Sequence, residues 1–163
     1  VGPELRARRA LERIAADLRT AGEWAEDLDR DGALGAGEDL NGNGRLDADW
    51  DLEDGATGKA TLSFNRRVDE TDADGGLLAA GIYSARVTYR LDGGRLLRER
   101  DRVVSAGGVP GAVTARDVVA AGIDALRFTR RGRLVVVSLD YPVSRGGRET
   151  QKETVATSVL LRN

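Results

Sequence analysis

A block of acid between two regularly patterned regions limits most what this chain can fold into. Residues 26–54 hold eleven carboxylates (Glu26, Asp27, Asp29, Asp31, Glu38, Asp39, Asp47, Asp49, Asp51, Glu53 and Asp54) against two bases, Arg30 and Arg45, a local net charge of −9. The rest of the 163-residue chain carries 23 bases and 16 acids, a net of +7. The apolar residues of the block follow neither a helical nor a strand period, so the block reads as irregular structure. Carboxylates at this density repel one another unless something positive neutralises them.

The spacing inside the block points to that partner. An EF-hand-type loop takes oxygen ligands from its first, third, fifth, seventh, ninth and twelfth residues, with glycine sixth and an apolar residue eighth. Counted from Asp27, Asp29 stands third, Asp31 fifth, Gly32 sixth, Ala33 seventh with its carbonyl, Leu34 eighth and Glu38 twelfth. Gly35 is ninth and would leave that ligand to water. Alternating short carboxylates converge on a hard cation, the glycine turns the chain, and the closing glutamate returns with both oxygens. A second match starts one residue later with Asp39, Asn41, Asn43, Gly44, Arg45 through its carbonyl, Leu46 and Asp47. Its twelfth residue is Trp50, whose indole offers no oxygen, so Asp49 or Asp51 is left to close the shell. A third series, Glu70, Asp72, Asp74, Gly75 and Leu77, ends on Gly81 and lacks a closing carboxylate. The ion expected is Ca2+. Magnesium is a poorer match because it demands near-octahedral geometry and gives up water reluctantly. The plainer reading is a solvated turn region, since Asp, Asn and Gly are the usual loop residues. The two matches abut without a helix between them. They therefore suggest a compact calcium-stabilised loop rather than a paired EF-hand, with Trp24 and Trp50 as anchors on either side.

The flanking regions have clear periods. PELRARRALERIAADLRTAGEW reads as a helix. Pro3 and Glu4 suit its first turn, and Ala7, Leu11, Ile14, Leu18 and Ala21 form an apolar stripe. Arg6, Arg9, Arg13, Asp17 and Arg19 lie mostly off that stripe. After the block the period becomes two. Residues 58–68 alternate Ala60, Leu62 and Phe64 with Thr61, Ser63 and Asn65. Ile82 to Leu91 and Arg95 to Val103 flank Asp92-Gly93-Gly94 as a hairpin. Residues 107–113 read as a loop, 123–129 and 133–141 as a second hairpin, 144–152 as a turn and 154–161 as a last strand. The arginines of 66–67, 95–102 and 130–131 are expected on solvated strand faces. The fold class expected is α+β: one long N-terminal amphipathic helix packed on an antiparallel β-sheet of about six strands. One domain, 1–163, is expected, divided into helix (1–25), acidic calcium-loop insertion (26–57) and antiparallel β region (58–163). With no Cys and no His, disulfides, zinc sites, Cys nucleophiles and Ser-His triads are excluded. No phosphate loop is present, and the near-balanced total charge gives no drive toward nucleic acid. The chain reads as a non-enzyme.

RRALERIAADLRTAG, VTYRLDGGRLLRERDRVV, IDALRFTRRGRLVVVSLDY and VATSVLLRN resemble type IV pilin-like proteins. They are closest to minor pseudopilins of the J type in type II secretion and minor pilins of the W type. The resemblance covers residues 5–22 and about 82–163. It implies a pilin-like fold and a minor structural subunit at the tip, or in the priming complex, of a pseudopilus or pilus. It also implies a bacterial protein at the periplasmic face of the inner membrane or in an extracellular filament, with other minor subunits as partners through the N-terminal helix. In that family a cleaved leader and an apolar half-helix precede such a segment. With no Met at its start, the chain is expected to lack that hydrophobic part. The acidic block is not a family rule and rests on its own spacing. The alternative is a secreted calcium-dependent adhesive or binding β module.

Overall fold

The computed structural model describes residues 2–20, 31–35, 44, 52–69, 71, 76–79, 82–103, 110–144, 146–147 and 151–161. Helix α1 spans Pro3–Thr20. Eight strands follow among the described residues: β1 (Leu62–Val68), β2 (Gly76–Ala79), β3 (Ile82–Asp92), β4 (Arg95–Val103), β5 (Pro110–Ala121), β6 (Ala125–Arg131), β7 (Leu134–Val143) and β8 (Gln151–Leu160). They form two antiparallel sheets. The larger runs β1-β3-β4-β5, with β2 pairing the start of β3; the smaller runs β6-β7-β8.

This overturns the expected pilin-like architecture. The molecule is mostly antiparallel strand in two sheets, and its helix is 18 residues long rather than a long spine laid on one sheet. Two segments add strands that were not expected. Residues expected to begin a loop at 107–113 instead enter β5 at Pro110. A four-residue strand, β2, stands at Gly76–Ala79, where none was expected. β5 also explains why its strand character was hidden, because its pairing with β4 slips at three places and breaks the period of two. The strongest sequence signals, by contrast, lie where they were read. β3 and β4 meet at a tight turn in which Gly93 and Gly94 take φ of 56° and 77°, values that side-chain-bearing residues adopt at a cost.

One core joins all these parts. Alternation sends Leu62 and Phe64 of β1, Val87 and Tyr89 of β3 and Leu96 of β4 inward from the larger sheet. Phe128 of β6, Val135, Val137 and Leu139 of β7, and Val155 and Val159 of β8 come from the smaller one. α1 adds Ala7, Ala10, Leu11, Ile14, Ala15 and Leu18, a broader stripe than the sequence reading drew. The helix lies against β7 and β8 and also against β5, so it spans from one sheet to the other. Residues 55–59 run antiparallel along β6. Gly55 and Lys59 amides donate to the Arg130 and Phe128 carbonyls at 3.0 and 2.9 Å, and the Arg130 and Phe128 amides return bonds to Ala56 and Lys59 at 2.9 and 2.8 Å. The chain then passes directly into β1.

The outer face of the smaller sheet is held by a polar cluster across all three strands. Arg127 grips Asp140 with both terminal nitrogens, at 2.8 and 2.6 Å, and the Thr154 hydroxyl donates to Asp140 at 2.6 Å. The arginine bonds lead, against partial burial, in holding the Asp140 carboxyl down to about 2. A depressed carboxyl stabilises the fold fully above its ordinary range and loses that contribution as pH falls through the folded value. Asp140→Asn is therefore expected to flatten the fall in stability between about pH 4 and pH 2. In urea unfolding across that window, the native chain should lose roughly 1 kcal/mol more than the variant, allowing for screening of a partly open pair.

Candidate functional site

The acidic connection is fastened where the described chain leaves it and, just before it, at the end of α1. Asp17, in the last turn of α1, is buried against the larger sheet. Arg98 of β4 donates from Nε to Asp17 Oδ2 at 2.7 Å, and the Tyr89 hydroxyl of β3 donates to the same oxygen. Asp17 is 7% exposed and Arg98 3%. Burial, reinforced by the neighbouring Asp17 charge, raises the Tyr89 hydroxyl far above its ordinary range, so it stays protonated as a donor. The sequence reading placed Asp17 off the apolar stripe and Arg98 on a solvated face. Both are corrected here. Asp17 sits three residues after Ile14 and beside Leu18, at the margin of the buried stripe, and that spacing was the available signal.

At the exit, Leu52 is completely buried in the core. The Leu52 carbonyl accepts from Arg130 Nη1 at 3.0 Å, and Asp54 Oδ1 accepts the Gly132 amide, in the β6–β7 turn, at 2.6 Å. Arg130 also donates from Nε to the Gly132 carbonyl at 2.7 Å. Arg130 is thus another arginine read as solvated that lies buried, at 7% exposure. A guanidinium can do this because its planar fork reaches several carbonyls while its stem packs on apolar neighbours. Beyond α1, residues 21–30, 36–43 and 45–51 are outside the described residues.

Most of the calcium ligands read from spacing therefore lie outside the described residues: Asp27, Asp29, Glu38, Asp39, Asn41, Asn43, Arg45, Asp47, Asp49 and Asp51. So do Trp24, Trp50 and most of the third series. Asp31 and Ala33 are described. Both are exposed, and Asp31 Oδ1 accepts the Ala33 amide at 2.7 Å, which bends the chain at the fifth-to-seventh positions of the first match. Gly32 and Gly44, the sixth residues of the two matches, have φ of 76° and 71°. The two loops thus repeat one backbone conformation at the position where an EF-hand-type loop turns sharply. Among the described residues no three metal-binding side chains come together.

A twelve-residue repeat, missed in searching for ligands alone, explains the equivalence. Asp-Leu begins at residues 27, 39 and 51, continuing as DLD, DLN and DLE. In that register Leu52 is the third copy of Leu28 and Leu40. The repeat therefore leads into the core at its last leucine.

A second buried charge cluster lies on the other face of the larger sheet. Glu99 accepts from Arg116 Nε and Nη2 at 3.0 and 2.9 Å on one oxygen and from Arg90 Nε on the other. Burial opposes its charge, yet the two arginines outweigh that and hold the carboxyl below its ordinary value. The Ser63 and Thr88 hydroxyls meet at 2.8 Å in the adjoining row. Asp17 and Glu99, the buried acids among the described residues, are each matched by arginine, an arrangement that fixes strands.

Comparison with protein-family models, with curated proteins and with solved structures finds no match. Among the described residues no helix is long and apolar enough to cross a membrane.

Proposed function

We propose that this chain is a minor structural subunit of a type II secretion pseudopilus or type IV pilus, acting at the tip or in the priming complex, with a calcium-stabilised loop joining its helix to its sheets. The observation that carries the structural role is the double fastening of the acidic connection, by Asp17 to Arg98 and Tyr89 before it and by Leu52 and Asp54 to β6 and its turn after it. A segment held at both ends can take up a cation with less chain entropy to lose, which favours a clasp over a catalytic centre. The filament part rests on the sequence resemblance and on the face of α1 left outward, where Leu5, Arg6, Arg9, Glu12 and Arg13 are exposed to neighbours. The proposed partners are other minor subunits, with the inner membrane reached through an upstream apolar segment.

Co-purification from the native host tests this reading. Recovery with other pilin-type subunits is the expected result. A gene that encodes no apolar segment upstream of Val1 would sink it. The predominance of antiparallel strand over helix favours a second reading, a secreted calcium-dependent adhesive β module. That reading expects secretion without filament partners.

A further inference from the structure

The strands that end the two sheets, β1, β5, β6 and β8, are not alike. β1 is seven residues long and carries Arg66 and Arg67. β5 begins at Pro110, and its pairing with β4 slips at three places. The edge of β6 is taken up by residues 55–59. Charge, proline, bulges and cover are the devices that keep an edge strand from pairing with another chain. β8 lacks them from Thr154 to Leu160: the run TVATSVL holds no charge, proline or glycine, and it pairs β7 without a slip. The Leu161 amide donates to the Arg133 carbonyl at 2.7 Å, which makes the odd-numbered residues of β8 the hydrogen-bonded partners of β7. Lys152, Thr154, Ala156, Ser158 and Leu160 therefore turn their amides and carbonyls to the open side. All are exposed, Leu160 at 61%. α1 overhangs this edge, leaving a cavity of about 160 Å³ lined by Arg8, Leu11, Glu12, Ala156 and Thr157.

We infer that β8 pairs antiparallel with β8 of a second copy about a two-fold axis at Ala156, joining the two smaller sheets into one. A two-fold interface must be self-complementary, and this edge is. An antiparallel edge strand offers its amides and carbonyls to its own copy. Arg8 and Glu12 lie one helical turn apart beside Ala156 and have opposite charge, so the axis brings each Arg8 to the other copy's Glu12. Lys152 falls opposite Leu160, and its apolar stem covers that leucine while the ammonium stays in water. Such a pair closes at two copies. It leaves Arg6 and Arg13, on the side of α1 toward β5, to other subunits, and it does not rest on the filament reading.

Sedimentation equilibrium tests for the pair: a monomer–dimer equilibrium with no larger species is expected. Ser158→Lys puts a charge on the open edge and should weaken the dimer at least about tenfold, with an unchanged melting temperature. Arg8→Glu and Glu12→Arg should each weaken it, and a mixture of the two variants should restore it. Disulfide trapping reads the register, since the chain has no Cys. Two Ala156→Cys chains bring their Cα atoms to about 5.5 Å, inside disulfide range. Two Leu160→Cys chains hold theirs about 27 Å apart, about eight residues along the strand. Ala156→Cys should cross-link under mild oxidation and Leu160→Cys should not. A native chain that stays monomeric overturns the inference, as do species that grow beyond the dimer. A Ser158→Lys variant that dimerises like the native chain overturns it too, as do Ala156→Cys chains that cross-link no faster than Leu160→Cys chains. Failed co-purification with pilin-type subunits strikes only the filament reading.

Discussion

Arg98→Met is expected to destabilise the protein by about 3–5 kcal/mol, because it removes the buried guanidinium that pairs with the buried Asp17 carboxylate. Methionine keeps the apolar stem and removes the charge, so the loss reports the missing guanidinium rather than a cavity. The pair itself need not be a large net stabiliser. Taking two charges out of water costs several kcal/mol for each ion, and their attraction and hydrogen bonds offset that only when geometry is good. The double variant Asp17→Leu/Arg98→Met should therefore recover most of the loss in urea denaturation. A single variant that costs less than about 1 kcal/mol would mean that water or another cation reaches Asp17, and the buried triad described here would be wrong.

Leu52→Ala carries the second large effect. Within the sequence Leu52 looks like part of a solvated acidic stretch, where a substitution usually changes stability by no more than about 0.5 kcal/mol. In the structure it is fully buried, as part of the single hydrophobic core. Truncation there removes a core side chain and leaves a cavity, at a cost of about 2–5 kcal/mol. Denaturant midpoints of native and variant chains decide between the two, and a near-neutral result would release the exit of the connection from the core.

Those residues show where the sequence was legible and where it was not. The helix could be read because Ala7, Leu11, Ile14 and Leu18 recur at helical steps. The β3–β4 hairpin could be read because Asp92-Gly93-Gly94 separates two long alternating runs. These signals are local, and local periodicity survives any tertiary arrangement. The division into two sheets is not local. It depends on residues 55–59 choosing the edge of β6, on α1 touching β5 as well as β7 and β8, and on β5 tolerating three register slips. Buried charge was equally hidden. RLLRERDRV reads as a solvated strand, and the deep burial of Arg98 and Glu99 follows only once Asp17 and Arg116 arrive from elsewhere in the chain. In the acidic block, ligand spacing pointed to calcium at Asp27 to Glu38. The repeat that ties the block to the core was visible in the same residues, but only when the leucines were aligned instead of the carboxylates.

Calcium is proposed to fasten the connection between the helix and the sheets. Thermal unfolding in excess calcium and in chelator tests it most directly. Binding to the folded state alone adds about 2.7 kcal/mol at a hundredfold excess over the dissociation constant, so the melting temperature should rise in calcium. Asp31→Ala and Glu38→Ala should each remove most of that rise. Superimposable melting curves in calcium and chelator would contradict the claim.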